Sequence, residues 1–249
     1  KQGDYFLAQL SKVKAIKVVA SKIITFLAQI ENFQKKLWLK KKFVIRTDYC
    51  ITLDKIPNIY YPEILQNKEQ LAEWKALFDV DIQNAEQLVF EQFLVLDTKF
   101  FEEGFKDKLL AEFDNLENLI NGFLINSDNI HALNLLNTKF EQKIKLIHID
   151  PPYNTATSGF LYKNSFQHSS WISMMDNRIN SSIPMLEDTG IYMVHIDENE
   201  YENLFKLFSN FPLNNSGTII WDKRNPMNGG SGIATQHEYT ICFTNGQFM

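Results

Sequence analysis

Cysteine is scarce in this chain. Among 249 residues there are two, Cys50 and Cys242, far apart and matching no metal-ligand spacing. They read as free thiols buried as small hydrophobes in a reducing compartment. Also missing is any run of about 18 uncharged apolar residues, the minimum for a membrane span. The best stretch, Val18 to Ile30, is interrupted by Lys22. No secretory signal is visible on a chain that opens on Lys1 rather than Met, so a cytoplasmic protein with no membrane partner is expected. Excess positive charge is absent as well. The net charge of −5 does not advertise a nucleic-acid binder.

What is present is ordinary for a soluble globular protein: 45% apolar and 22% charged residues. The length allows one large domain, or a domain with a helical extension. Twenty phenylalanines predict a Phe-rich core. Charge is uneven locally. Residues 35–46 (KKLWLKKKFVIR) hold six cations and no anion, either a solvated helix face or a patch that tracks phosphates.

Two rhythms divide the chain. Over residues 1–120 the spacing is mainly helical: Phe26, Ile30, Phe33 and Leu37 share one face, as do Leu71, Trp74, Leu77 and Phe78. Phe105, Leu109, Leu110 and Phe113 form another amphipathic segment, and Pro57 and Pro62 punctuate a loop. Over 121–249 strands and helices alternate. Phe123 to Ile125, Lys143 to Asp150 and Ile191 to Asp197 predict strands, followed by the pair Thr218 to Trp221 and Tyr239 to Thr244. A helix marked by Ile172, Met175, Ile179, Ile183 and Leu186 should be capped by Ser169 or Ser170 and cut short by Pro184. The expected fold is α/β, its sheet parallel with an antiparallel edge. Asp128, Asp150 and Asp197 would then tip three strands and share the crevice where open α/β sheets bind ligands.

Asp150-Pro151-Pro152-Tyr153 suits one demanding reaction. The exocyclic amine of a nucleobase is a poor nucleophile because its lone pair is conjugated with the ring. Accepting hydrogen bonds from both its N–H groups draws the nitrogen toward tetrahedral geometry as charge develops. A carboxylate and a backbone carbonyl at fixed separation can do this. Two prolines stiffen the turn and lack N–H groups, leaving carbonyls free to accept. The aromatic residue that follows offers a flat face to an extruded base. Such a tetrapeptide can also be a rigid turn after a strand; the hydrophobic strand before it and the neighbouring acids favour chemistry.

The segments LIHIDPPYNTATSGFLYKNSFQHSSWISMMDNRI (146–179), GFLINSDNIHALNLL (122–136), HIDENEYENL (195–204) and GIATQHEYTICF (232–243) closely resemble the Mod, or modification, subunits of type III restriction–modification systems. These are beta-class DNA amino-methyltransferases, and the resemblance runs from about residue 26 onward. It implies a Rossmann-like class I methyltransferase sheet, circularly permuted, and transfer of methyl from S-adenosylmethionine to adenine N6 in double-stranded DNA. It also implies a second Mod subunit and a Res ATP-dependent endonuclease subunit as partners.

Asp150 and the Pro151 carbonyl would accept from the target amine, Pro152 would shape the loop, and Tyr153 would stack on the flipped adenine. Asp128, Asp150, Asn154 and Asp197 are the candidate cofactor contacts. Asp128 and Asp197 each have a plainer reading as helix N-caps. Trp171 is expected to pack in the core, His168 to satisfy a loop carbonyl, and His237 and Glu238 to belong to strand or loop architecture. No metal is expected. The glycine-rich F-x-G-x-G strand–turn–helix of the family does not occur here; Gly229-Gly230-Ser231-Gly232 precedes no helical pattern. Residues 121–249 thus read as the catalytic half of the domain, lacking the glycine-rich strands and target-recognition region, inactive alone and with one edge of the Asp150 strand left open. Alternatives are a stand-alone beta-class enzyme acting on adenine N6 or cytosine N4, and a non-catalytic DNA- or partner-binding fragment.

Overall fold

The computed structural model describes residues 2–38, 44–155, 163–224 and 235–246, with backbone alone for 2–8 and 33–38. The chain divides into two compact units, Phe43–Leu124 and the remainder, Lys1–Lys42 with Ile125–Met249. Helix α1 (Gln2–Trp38) opens the latter. On it Phe26 is 60% and Ile30 40% exposed, so the predicted periodicity forms a helix whose apolar side chains there are not buried. The basic stretch 35–46 falls largely outside the described side chains.

In Phe43–Leu124, strands β1 (Cys50–Thr52) and β2 (Val95–Asp97) pair antiparallel. Around them lie short helices α2 (Tyr61–Gln66), α3 (Lys68–Phe78), α4 (Ala85–Phe90), α5 (Glu103–Leu110) and α6 (Leu116–Leu119). Local chemistry sets their ends. Asn67 caps α3 by accepting from the Gln70 amide, and Asp79 closes it in a left-handed conformation. Asn84 and Gln87 form a capping box on α4. Leu53, Ile64, Trp74, Leu88, Leu96 and Leu109 are buried together. Trp74 also donates from Nε1 to the Val95 carbonyl at 2.7 Å, so its indole loses no hydrogen bond on burial. Cys50 is exposed and Cys242 half-buried, which corrects the expectation that both thiols are core residues.

In the other unit, helix α7 (Asn129–Phe140) leads to strand β3 (Ile144–Ile149), helix α8 (His168–Ser182), strand β4 (Leu186–Ile196), helix α9 (Tyr201–Phe208), and strands β5 (Asn214–Asp222) and β6 (His237–Thr244). The sheet order is β3-β4-β6-β5. β3 and β4 are parallel; β4–β6 and β5–β6 are antiparallel. The α/β class and the mainly helical N-terminal region are as expected, but a single parallel pairing occurs among the described residues. Along β4, Tyr192, Val194 and Ile196 alternate inward. They meet Trp171, Met175 and Ile179 from α8, four residues apart, and Leu204, Leu207 and Phe208 from α9. Each such side chain contributes roughly 1.5–3 kcal/mol on burial. Phe208 stacks on Phe243 with ring centroids 4.0 Å apart.

Two local expectations are corrected. Helix α8 starts at His168 behind Gln167, without a side-chain cap, rather than behind a serine. It does end before Pro184, which sits in a single 3-10 turn. Phe123 to Ile125 forms no strand, and Leu124 is fully exposed. Three apolar residues cannot satisfy their backbone groups as a strand without a paired strand, and none of the described strands pairs with them. The open edge expected on the Asp150 strand is present: β3 pairs with β4 alone among the described strands, and Leu146 is 50% exposed.

Candidate active site

Because β3 and β4 run parallel, with Ile149 opposite Val194, both end at the same edge of the sheet. Asp150 and Asp197 follow directly. β6 runs the other way and pairs Tyr239 with Ile196, so its first residues, His237 and Glu238, lie at that edge too. β5 brings Trp221 opposite Glu238, with Lys223 just beyond. Topology therefore gathers Asp150, Tyr153, Asp197, Lys223 and Glu238 from positions up to 88 apart in number.

The turn after β3 keeps its acid in solvent and its ring half-covered: Asp150 is exposed, and Pro151, Pro152 and Tyr153 are half-buried. The fully buried Trp171 donates from Nε1 to the Pro152 carbonyl at 2.7 Å. One proline carbonyl thus anchors the turn to helix α8. The Tyr153 hydroxyl donates to Glu238 Oε2 at 3.3 Å, and the Asp150 carboxylate also acts on it. Burial first, and then the two negative carboxylates, drive its ionisation far above the usual tyrosine range. The phenol keeps its proton. Glu238 Oε1 is held by the Lys223 ammonium at 2.5 Å.

Asn154 comes next, with φ of 61°, a left-handed conformation that asparagine tolerates better than most residues. Its backbone N–H donates to Asn164 Oδ1 at 2.8 Å, its Oδ1 accepts from the Phe166 amide at 2.5 Å, and its Nδ2 donates to Glu200 Oε1 at 2.5 Å. Asn164 also donates to the Thr155 hydroxyl. Residues 154–155 and 164–166 are thereby stapled together. Glu200 is completely buried and receives two further contacts: His168 Nδ1 at 2.7 Å and Asn203 Nδ2 at 2.7 Å. A carboxylate at that depth is stable only when its lone pairs are filled, and here they are.

Residues 144–249 match a family model described as DNA methylase. The resemblance to Mod subunits read from the motifs is borne out by relatives. The probable type III restriction-modification enzyme HindVI Mod subunit of Haemophilus influenzae is 44% identical over 84 residues, covering 34% of this chain and 11% of that protein. The type III restriction-modification enzyme StyLTI Mod subunit of Salmonella typhimurium is 28% identical over 166 residues, covering 54% and 25%. The type II methyltransferase M.KpnI of Klebsiella pneumoniae is 28% identical over 127 residues, covering 47% and 30%. The chain thus spans between a tenth and a third of the length of these relatives.

The residues singled out from sequence separate into groups. Asp150, Pro151, Pro152 and Tyr153 stand together at the sheet edge. Asp128 caps α7, accepting from the Ile130 amide at 3.1 Å; with no strand before it, two acid-tipped strands remain rather than three. Asp197 is buried and accepts from the Asn199 backbone at 2.9 Å and side chain at 2.7 Å. Burial raises its pKa above the ordinary aspartate value, and the Asn199 bonds partly offset this. It closes a turn and does not cap a helix; the N-cap position of α9 is Glu200. Both side-chain polar atoms of Asn154 are engaged, one by the Phe166 amide and the other by Glu200 at the start of α9. Trp171 is a core residue, as expected. His168 meets the buried Glu200 carboxylate instead of a loop carbonyl. Gly229 to Gly232 lies outside the described residues.

Glu200 and Glu238 are what the sequence reading underrated. The signal for Glu238 was a charge in an otherwise apolar strand. For Glu200 it was an acid immediately ahead of the amphipathic spacing of α9.

Proposed function

We propose that this chain carries the catalytic half of a site-specific DNA methyltransferase that moves methyl from S-adenosylmethionine to adenine N6, as the Mod subunit of a type III restriction–modification system. The observation that carries the reading is the exposed Asp150 carboxylate beside the Tyr153 ring, on a proline turn pinned by Trp171. Asp150 and the Pro151 carbonyl accept the two N–H groups of the target amine, and the Tyr153 ring supports the extruded base. As the nitrogen gains its methyl group it gives up one proton, which Asp150 or water receives.

The acids of this edge suit a ligand bearing an ammonium and a sulfonium, so the residues present fit the cofactor. Asp150 would hold its methionine end. The Asp128 oxygen not used in the α7 cap would receive its adenine or ribose, and Asp197 would add negative charge. Bound there, S-adenosylmethionine supplies an electrophilic methyl group. Asn154 serves the same site by holding the loop. The partners are double-stranded DNA, a second Mod subunit and a Res ATP-dependent endonuclease, in the cytoplasm. Among the described residues no helix is long and apolar enough to cross a membrane.

The test uses the complete gene product, labelled S-adenosylmethionine and unmodified DNA. Labelled N6-methyladenine that disappears in Asp150→Ala is expected; no transfer by the intact protein overturns the reading. A second reading, a stand-alone amino-methyltransferase, is favoured by the similarity to M.KpnI. Purification without a helicase-like endonuclease, or label in N4-methylcytosine, would select it.

A further inference from the structure

The Tyr153 hydroxyl, three residues beyond Asp150 on the same turn, donates to Glu238 Oε2 at 3.3 Å, both carboxylates act on it, and a phenol has one proton to donate. Whichever acid receives it loses an acceptor position. Asp150 is the acid whose acceptor capacity the reaction needs, and Glu238 has no part in receiving the amine. We infer that Glu238 is a positioning residue: it draws the Tyr153 proton to itself, so that the Asp150 carboxylate stays open to the substrate amine. The inference rests on the proposed function above and names the control of that same site.

The surroundings support this division. Glu238 is fixed at both ends, its Oε1 by Lys223 at 2.5 Å and its backbone by pairing opposite Trp221, which leaves Oε2 aimed at the tyrosine. Asp150 is exposed, and its carboxylate acts on this hydroxyl. Removing Glu238 leaves a half-buried phenol that must find another acceptor, and Asp150 is the other carboxylate that acts on it. The loss would act on the chemical step, not on binding of DNA. The position also governs the ring, because the hydroxyl–Glu238 bond sets the angle at which Tyr153 faces the base.

The experiment compares four forms of the complete gene product: wild type, Glu238→Ala, Tyr153→Phe, and the double variant. Tyr153→Phe keeps the ring and removes the proton in dispute. Glu238→Ala in the tyrosine background should lower kcat about tenfold, the value of one misdirected hydrogen bond, with KM for DNA within about twofold. In the phenylalanine background the same substitution should change kcat by less than about twofold. Equal losses in both backgrounds, or no loss in the first, overturn the inference while leaving the methyltransferase reading intact. An inactive wild type defeats that reading instead. In that event a crystal structure of the Glu238→Ala variant decides the inference. The hydroxyl within about 2.6–3.0 Å of Asp150 supports it, and the hydroxyl turned to solvent or unmoved overturns it.

Discussion

Two neighbouring parallel strands of the sheet end in aspartate, and the two tips are built oppositely. After β3, Asp150 is exposed, followed by rigid prolines whose turn is tied down by Trp171. After β4, Asp197 is buried and accepts twice from Asn199, and three residues later Glu200 is sealed in a network of Asn154, His168 and Asn203. The first tip leaves a carboxylate with unfilled acceptor capacity. The second fills the two carboxylates it buries, Asp197 and Glu200. A residue that must engage a passing substrate cannot be satisfied by its own protein. The groups that hold it in place must be.

Four measurements sharpen or break this contrast. The largest effect is expected from Asp150→Ala: methyl transfer by the complete gene product should fall by about 10³-fold or more, while the unfolding free energy moves by about 0.5 kcal/mol or less. A large stability loss would place Asp150 among the holding groups. Glu200→Ala should do the reverse first. Removing a buried carboxylate that serves three donors should cost about 3 kcal/mol in denaturant unfolding. Transfer would then fall through disorder of the Asn154 turn, and Glu200→Gln, which keeps one acceptor, should recover part of it. Trp171→Phe preserves most of the buried ring and removes the donor to the Pro152 carbonyl. It should cost about 1–2 kcal/mol of stability and slow transfer more than it weakens DNA binding.

The smallest effect is a pH dependence at Asp197. Its folded-state pKa is raised by burial, so the folded protein holds this proton more tightly than the unfolded chain. The associated stabilisation is complete below the ordinary carboxylate range and is lost as pH rises through the folded value. Asp197→Asn should flatten that part of the stability curve between mildly acidic and neutral pH, as read by denaturant titration. An unchanged slope would mean that the Asn199 bonds fully cancel burial.

Much of the fold was legible because it is set by contacts close in sequence. The helices around Trp74, Leu109 and Ile179 follow apolar spacing, and the break at Pro184 follows from a missing N–H. Strands β3, β4 and β6 follow from apolar runs. The failures have one kind of cause. Phe123 to Ile125 has strand composition but pairs with no strand among the described residues. Asp197 has the composition of a helix cap, yet Asn199 sits near enough to take both its oxygens. Cys50 looked like a core residue, but β1 turns its side chain to solvent.

By itself, the sequence determined the candidate chemistry of the Asp150 turn: an acid, two prolines and an aromatic ring in four consecutive residues carry their geometry with them. Tertiary structure alone decided which polar groups serve that turn. Tyr153 and Glu238 are 85 residues apart, and Asn154 and Glu200 are 46 apart. Such partners meet because strand order brings the ends of β3, β4 and β6 to one edge, and strand order depends on how whole strands bury their faces, which no local pattern encodes.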